Sequence, residues 1–171
     1  DLLNLISDIL DLSKVEAGQI QLHYDEVPLT ALCNGLRALF APQAEQKQLG
    51  LRMEVAAEAP SWFRGDEQRV QQILKNLVSN ALKFTAEGEV AVRVAIAGAE
   101  NPLAVPAIAF AVSDTGIGVP ADKQQLIFQA FQQADGSISR KYGGTGLGLS
   151  ISLQLARAMH GDIRMRSVEG E

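Results

Sequence analysis

The chain has 171 residues, 47% of them hydrophobic, with 20 acidic against 15 basic side chains and a formal net charge of −5. That is enough apolar material for one domain with a sizeable core, and the acidic balance argues against a nucleic-acid surface, which would show a basic stripe. A single cysteine, Cys33, excludes an internal disulfide or a cysteine metal cluster and fits a reducing, cytoplasmic setting.

Leu2, Leu5, Ile6, Ile9, Leu12 and Val15 recur at spacings of three and four, which predicts a helix with an apolar seam, stopping at Gly18. The seam is too short to stand alone and should pack on something. "QIQLHYDEV" (19–27) alternates and reads as a strand, and Pro28 punctuates it. Residues 29–48 read as a helix, with Cys33 as buried filler among Leu32, Leu36 and Leu39. "GLRMEVA" (50–56) reads as a strand and 60–65 as a connection. Asp66 to Phe84 is strongly helical. "EVAVRVAIA" (89–97) and "AIAFAVS" (107–113) read as strands joined by a loop around Pro102. A short helix is expected near 121–130, a longer one from Leu147 to Met159 and a last strand from Asp162 to Ser167. Helices and strands mix without strict βαβ alternation, which predicts an α+β fold, a two-layer α/β sandwich. No apolar run is long enough to span a membrane, and no signal peptide is visible. The opening at Asp1, inside an amphipathic pattern, reads as a cut from a longer chain.

Three segments carry chemistry. In "RVQQILKNLVSNALKF" (69–84), at about 100° per residue, Val70, Leu74, Leu77 and Ala81 fall on one side and Asn76, Asn80 and Lys83 on another. Amide oxygens are hard ligands suited to Mg²⁺, and a lysine beside them suits a phosphate. The segment alone leaves a solvated polar face open as the other reading. In "SDTGIGVP" (113–120) an aspartate at a strand end precedes two glycines, so the backbone can approach a flat ligand while the carboxylate accepts a hydrogen bond, as from the amino group of adenine. An ordinary Asp-Thr-Gly turn is the alternative. In "KYGGTGLGLS" (141–150) Gly143, Gly144, Gly146 and Gly148 run into a helix, a combination of freed N–H groups and helix N-terminus that holds anions. No Gly-Lys-Ser/Thr follows, so it is not a Walker A loop. Nor does a strand directly precede it, as a Rossmann fingerprint requires.

In this order and spacing the segments closely resemble the ATP-binding catalytic domain of sensor histidine kinases, in the Bergerat-fold group with gyrase, Hsp90 and MutL. "NLVSNALKFT" resembles the N box, "DTGIG" the G1 box, "FQAF" the F box and "GGTGLGLS" the G2 box. "LLNLISDILDLSKVEAGQIQL" resembles the end of the second helix of the dimerisation and phosphoacceptor domain, and "FQQADGSISRKYGGTGLGLSI" is most like hybrid kinases, which carry a receiver domain. The resemblance implies residues 1–18 as that helix and 19–171 as the catalytic domain, truncated before its last strand. It implies Asn80 on Mg²⁺ with Asn76 nearby, Lys83 on the phosphates, Phe84 beside the nucleotide, and Asp114 on the adenine amine with Gly116 and Gly118 shaping the pocket. Phe128 and Phe131 would anchor a movable lid. Arg140 and Lys141 would supply positive charge, and Gly144, Thr145, Gly146, Leu147 and Gly148 would close over the triphosphate.

Related ATPases of the group carry a water-activating glutamate four residues before the metal-binding asparagine. Here Asn76 stands in that place and is not basic, which implies poor hydrolysis and transfer of the γ-phosphoryl group to a protein histidine, with Asn76, Lys83 and Arg140 as the catalytic set. The family's acceptor motif is absent: His23 and His160 lack its context, so no self-phosphorylation of this fragment is expected. The implied partners are the dimerisation domain of the same kinase, a response-regulator receiver domain and a second copy in a parental homodimer, with no nucleic acid. The implied setting is the cytoplasmic side of an inner-membrane sensor. A second reading is a non-catalytic module that binds a partner kinase through its residual helix. A third, a serine kinase or ATPase of the same fold, is disfavoured by Asn76.

Overall fold

The computed structural model describes residues 2–99, 101–130 and 146–168. Along the chain lie α1 (Leu2–Glu16), β1 (Asp25–Pro28), α2 (Leu29–Gln46), β2 (Gly50–Val55), β3 (Trp62–Gly65), α3 (Glu67–Phe84), β4 (Glu89–Ile96), β5 (Ile108–Asp114), a 3-10 turn (Leu126–Phe128) and α4 (Gly148–Ala158). They divide into two compact units, one of His23–Ile117 and one that joins Asp1–Leu22 to Gly118–Gly170.

The His23–Ile117 unit is an α+β sandwich. Its sheet has the order β2-β4-β5, with β2 and β4 parallel and β4 and β5 antiparallel. The central strand β4 buries Val90, Val92 and Val94, as a strand covered by its neighbours and a helix layer should. On it lie α2, against β2, and α3, against β4 and β5. Leu29, Leu32, Leu36 and Phe40 of α2 and Val70, Leu74, Val78 and Leu82 of α3 form the layer between. Arg37 ties α2 down by donating from Nη2 to the Met53 carbonyl at 2.9 Å. Cys33 is buried and its thiol pKa is raised by desolvation, with Arg37 opposing, so it is core filler. A second, two-stranded ladder pairs β1 with β3 antiparallel, Val27 opposite Phe63, and the Phe63 ring meets Phe110 of β5 edge-on at 5.6 Å.

Several local expectations change. Residues 19–24 are not strand, and only Asp25–Pro28 is. The stretch read as a connection at 60–65 holds β3. Leu77 is only half-buried, with Val78 in the buried position. The short helix near 121–130 is a three-residue 3-10 turn. Asp162–Ser167 forms no strand, although exposure alternates along it residue by residue. Alternation is the side-chain signature of an extended chain, but a strand also needs a ladder partner.

In the other unit α1 packs on α4. Three helices of the chain end alike. Gly18, Gln48 and His160 adopt φ of +64°, +58° and +62° after α1, α2 and α4. The next N–H then reaches back to a carbonyl of the last turn: Gln19 to Lys14 at 2.9 Å, Leu49 to Ala44 at 2.9 Å, and Gly161 to Ala156 at 2.7 Å. This is the Schellman ending. It gives His160 a structural role.

Candidate functional site

The sequence-predicted site residues fall in both units. Asn76, Asn80, Lys83 and Phe84 lie along the second half of α3, each half-buried. The helix is fixed at its start by Asp66, only 4% exposed. Its Oδ1 accepts from the Arg69 N–H at 3.0 Å and its Oδ2 from the His23 N–H at 2.9 Å. An N-cap carboxylate satisfies an orphan donor and complements the helix dipole. His23 precedes β1 rather than lying in a strand. Among the described residues the Asn80 amide makes no hydrogen bond. Lys83 Nζ lies 5.1 Å from the Phe84 ring centroid, within cation–π range. Burial lowers its pKa below the ordinary lysine value of 10.5.

Asp114 is the last residue of β5 and is exposed. Its Oδ1 accepts the Gly116 N–H at 2.8 Å. Thr85, just past the end of α3 and 1% exposed, donates its hydroxyl proton to the Ala81 carbonyl at 2.7 Å and stands 3.4 Å from the same Oδ1. Asp114 Oδ2 makes no hydrogen bond among the described residues. The loop is laid directly on the end of α3. A Cβ on Gly116 would sit 2.8 Å from the Phe84 carbonyl oxygen and 2.5 Å from Asp114 Oδ1, and the Ile117 N–H approaches the same carbonyl at 3.4 Å. Gly116 therefore serves the protein's close approach to itself. Thr115 holds the loop from the other side. Its hydroxyl donates to the Glu87 carbonyl and accepts from the Glu89 N–H, each at 3.1 Å. Gly88, at φ +102°, leaves room for that hydroxyl.

In the other unit Gly118 and Gly146 both take φ +70°, a conformation glycine adopts without steric cost. Phe128 closes the 3-10 turn and is half-buried. The stretch after Gly118 is anchored by Gln124, whose Nε2 donates to the Val119 and Ser167 carbonyls at 3.0 and 2.8 Å, and by the Val119 N–H donating to Ser167 Oγ at 2.8 Å. Leu147 is fully buried at the N-cap of α4, where its side chain makes no cap hydrogen bond, and Gly148 is the first helical residue. Phe131, Arg140, Lys141, Gly144 and Thr145 lie outside the described residues.

The structure thus brings the end of α3 and the Asp114 loop into one assembly. Sequence reasoning missed Thr85, which sits between them. Its signal was a threonine directly after an amphipathic helix, where a hydroxyl can turn back onto the last carbonyls. What this assembly offers is a carboxylate oxygen on a fixed backbone, a side-chain amide that makes no hydrogen bond among the described residues, and a partly desolvated ammonium. Among the described residues no group of three His, Cys, Asp or Glu side chains is placed to hold a metal ion.

The family of histidine kinase-, DNA gyrase B-, and HSP90-like ATPases matches residues 65–171. The hybrid signal transduction histidine kinase K of Dictyostelium discoideum is 45% identical over 167 residues, which cover 95% of this chain and 14% of that protein. Signal transduction histidine-protein kinase BarA of Escherichia coli (strain K12) is 42% identical over 167 residues, covering 98% of this chain and 18% of that protein. The chain thus spans 14% and 18% of the length of these two relatives. Among solved structures, full-length ShkA in complex with AMPPNP resembles this chain with a TM-score of 0.79 at 33% identity, over 93% of this chain and 31% of that one.

Proposed function

The chain belongs to the family of histidine kinase-, DNA gyrase B-, and HSP90-like ATPases, and from that premise we propose that it is the ATP-binding catalytic domain of a hybrid sensor histidine kinase. Residues 1–18 then belong to the dimerisation helix and 19–171 to the catalytic domain. The observation that carries the reading is the Asp114 carboxylate. One of its oxygens is held by the Gly116 N–H, so the other is aimed by the fold and left to accept from a ligand. Adenine supplies a suitable exocyclic amine. Asn76, Asn80, Lys83 and Phe84 extend from this point along α3 and take the metal, the phosphates and the side of the nucleotide.

The donor set fits Mg²⁺ as a partner of the nucleotide. Two side-chain amides are hard oxygen donors without charge, and among the described residues no carboxylate cluster stands ready to hold a bare cation. Asn80, with Asn76, would complete a shell made mainly of phosphate and water oxygens. When bound, Mg²⁺ supplies charge neutralisation at the phosphates. Lys83 does the same from the protein side, and its partly buried ammonium gains more from an anion than an exposed one would. Arg140 and Lys141 add charge, Phe128 and Phe131 anchor a lid, and Gly118, Gly144, Thr145, Gly146, Leu147 and Gly148 let backbone N–H groups approach the phosphates at the start of α4. Asn76 does not deprotonate water. The γ-phosphoryl group therefore passes to an imidazole nitrogen of a dimerisation domain: an N–P bond forms, the bond from γ-phosphorus to the bridging oxygen breaks, and ADP departs. On this reading the partners are that domain, a receiver domain and a second copy of the parent, and the setting is the cytoplasmic side of an inner-membrane sensor. Among the described residues no helix is long and apolar enough to cross a membrane.

Titration calorimetry tests the reading. Wild type should bind Mg-ATP. Asp114→Ala should lose about 1.5–3 kcal/mol with ATP, and less with a triphosphate whose base lacks the exocyclic amine. Equal losses with both nucleotides would remove Asp114 as the adenine reader.

A further inference from the structure

A helix leaves its last carbonyls without intrahelical partners, and each must find a donor or water. At the end of α3 every one of them is occupied, and by different means. The Ala81 carbonyl takes the N–H and the hydroxyl of Thr85. The Phe84 carbonyl takes the Ile117 N–H. The remaining two, on Leu82 and Lys83, and the C-cap carbonyl of Thr85 all accept from one group, the Lys47 ammonium, at 3.4 Å for Lys83 and 3.2 Å for Thr85. An ammonium has three protons and no acceptor, so three carbonyls match its capacity. Its positive charge also sits at the negative end of the α3 dipole.

Lys47 is itself held in place. It is the C-cap residue of α2, with its own N–H bonded to the Gln43 carbonyl at 3.2 Å. The Schellman ending at Gln48 and the pairing of β2 begin directly after it. It reaches a turn 35 residues away in sequence. That turn carries Lys83 and Phe84, continues into Thr85 beside Asp114, and supports the Gly116 approach.

We propose that Lys47 is a positioning residue for nucleotide recognition: by binding the last carbonyls of α3 it sets the turn against which Thr85 and Phe84 hold the Asp114 loop, and so sets how sharply the site reads the base. The inference rests on the proposed role of Asp114. Without the ammonium, three carbonyls turn to water, the last turn frays, and the carboxylate loses the backbone it is registered against. Base discrimination then falls, whereas simple loss of folded protein would weaken all nucleotides alike.

The test compares wild type, Lys47→Met and Lys47→Arg by calorimetry, with Mg-ATP and with the Mg complex of purine riboside triphosphate, which lacks the exocyclic amine. Lys47→Met should lower the ratio of the two affinities by about three- to five-fold, a change on the scale of one cation at a helix terminus. Lys47→Arg, which keeps the charge and the donors, should retain most of the ratio. Hydrogen exchange in the same samples should quicken at the Thr85 and Ile117 amides in Lys47→Met, while the Val70 amide at the other end of α3 keeps its rate. An unchanged ratio in Lys47→Met, in a wild type that discriminates, overturns the role of Lys47 and leaves Asp114 as the adenine reader. A wild type that binds both nucleotides equally overturns the Asp114 reading and this inference with it.

Discussion

The C-terminus of α3 and the N-terminus of α4 are both helix ends with polar groups to satisfy, and the protein treats them differently. At the end of α3 each carbonyl of the last turn has a donor from Thr85, Lys47 or Ile117. At the start of α4 the N-cap residue, Leu147, has no side chain that can accept from the first N–H groups, and the Ser150 hydroxyl donates to the Leu147 carbonyl at 2.8 Å. The first end is completed from within, which makes it a stiff frame for Asp114. The second has no side-chain cap from its N-cap residue, and on the proposed reading a phosphate meets the positive end of its dipole. On that reading the division is a sensible one, because a base is read by shape and direction whereas a triphosphate is held by charge and many donors.

Glycine to alanine changes break this contrast most strongly. Gly116→Ala places a Cβ 2.8 Å from the Phe84 carbonyl oxygen, so backbone must shift. It should cost about 1–3 kcal/mol in urea unfolding and weaken nucleotide binding as well. Gly148→Ala sits on helical backbone and should gain stability, by up to about 1 kcal/mol, while lowering affinity for Mg-ATP. If Gly148→Ala binds Mg-ATP as wild type does, the start of α4 does not meet the phosphates. A smaller effect is expected next to the Lys47 cap. Gln48 occupies the left-handed region at φ +58°, so Gln48→Gly should stabilise by about 0.5–1 kcal/mol with no change in affinity, measured by thermal unfolding and calorimetry.

The smallest effect concerns Lys83. Burial lowers its pKa, so between its folded value and the ordinary 10.5 the unfolded chain binds more protons, and stability of the nucleotide-free domain rises with pH across that window. Lys83→Met should flatten that rise. A triphosphate favours the charged form, so nucleotide binding should take up protons in the same window. Calorimetry in buffers of different ionisation enthalpy detects this, and binding without proton uptake would separate Lys83 from the phosphates.

Much of the fold was legible along the chain. The helices α1, α2, α3 and α4, and the strands β2, β4 and β5 follow from apolar periodicity, and each was found within a residue or two, although Ile6 and Ile9 of the α1 seam are exposed. The α3 polar residues and Asp114 could be singled out because the same periodicity and the glycines after a strand mark them. The reading failed where the deciding partner is distant in sequence. Trp62–Gly65 looked like a connection because its ladder partner is Asp25–Pro28, on the far side of α2 and β2. Asp162–Ser167 has the alternation of a strand and no ladder.

The sequence by itself determined which faces are apolar, where most of the chain's turns lie, and which polar side chains are proposed for the nucleotide site. These are local properties, written in spacings of two, three and four residues. Only the tertiary structure decided that Gly116 is small because the Phe84 carbonyl lies against it, that Thr85 stands beside Asp114, and that Lys47 satisfies the carbonyls of a different helix. The physical reason is that periodicity records whether a residue is buried, whereas a hydrogen bond needs a particular donor at a particular place, and that place is fixed only when α2, α3 and β5 have packed.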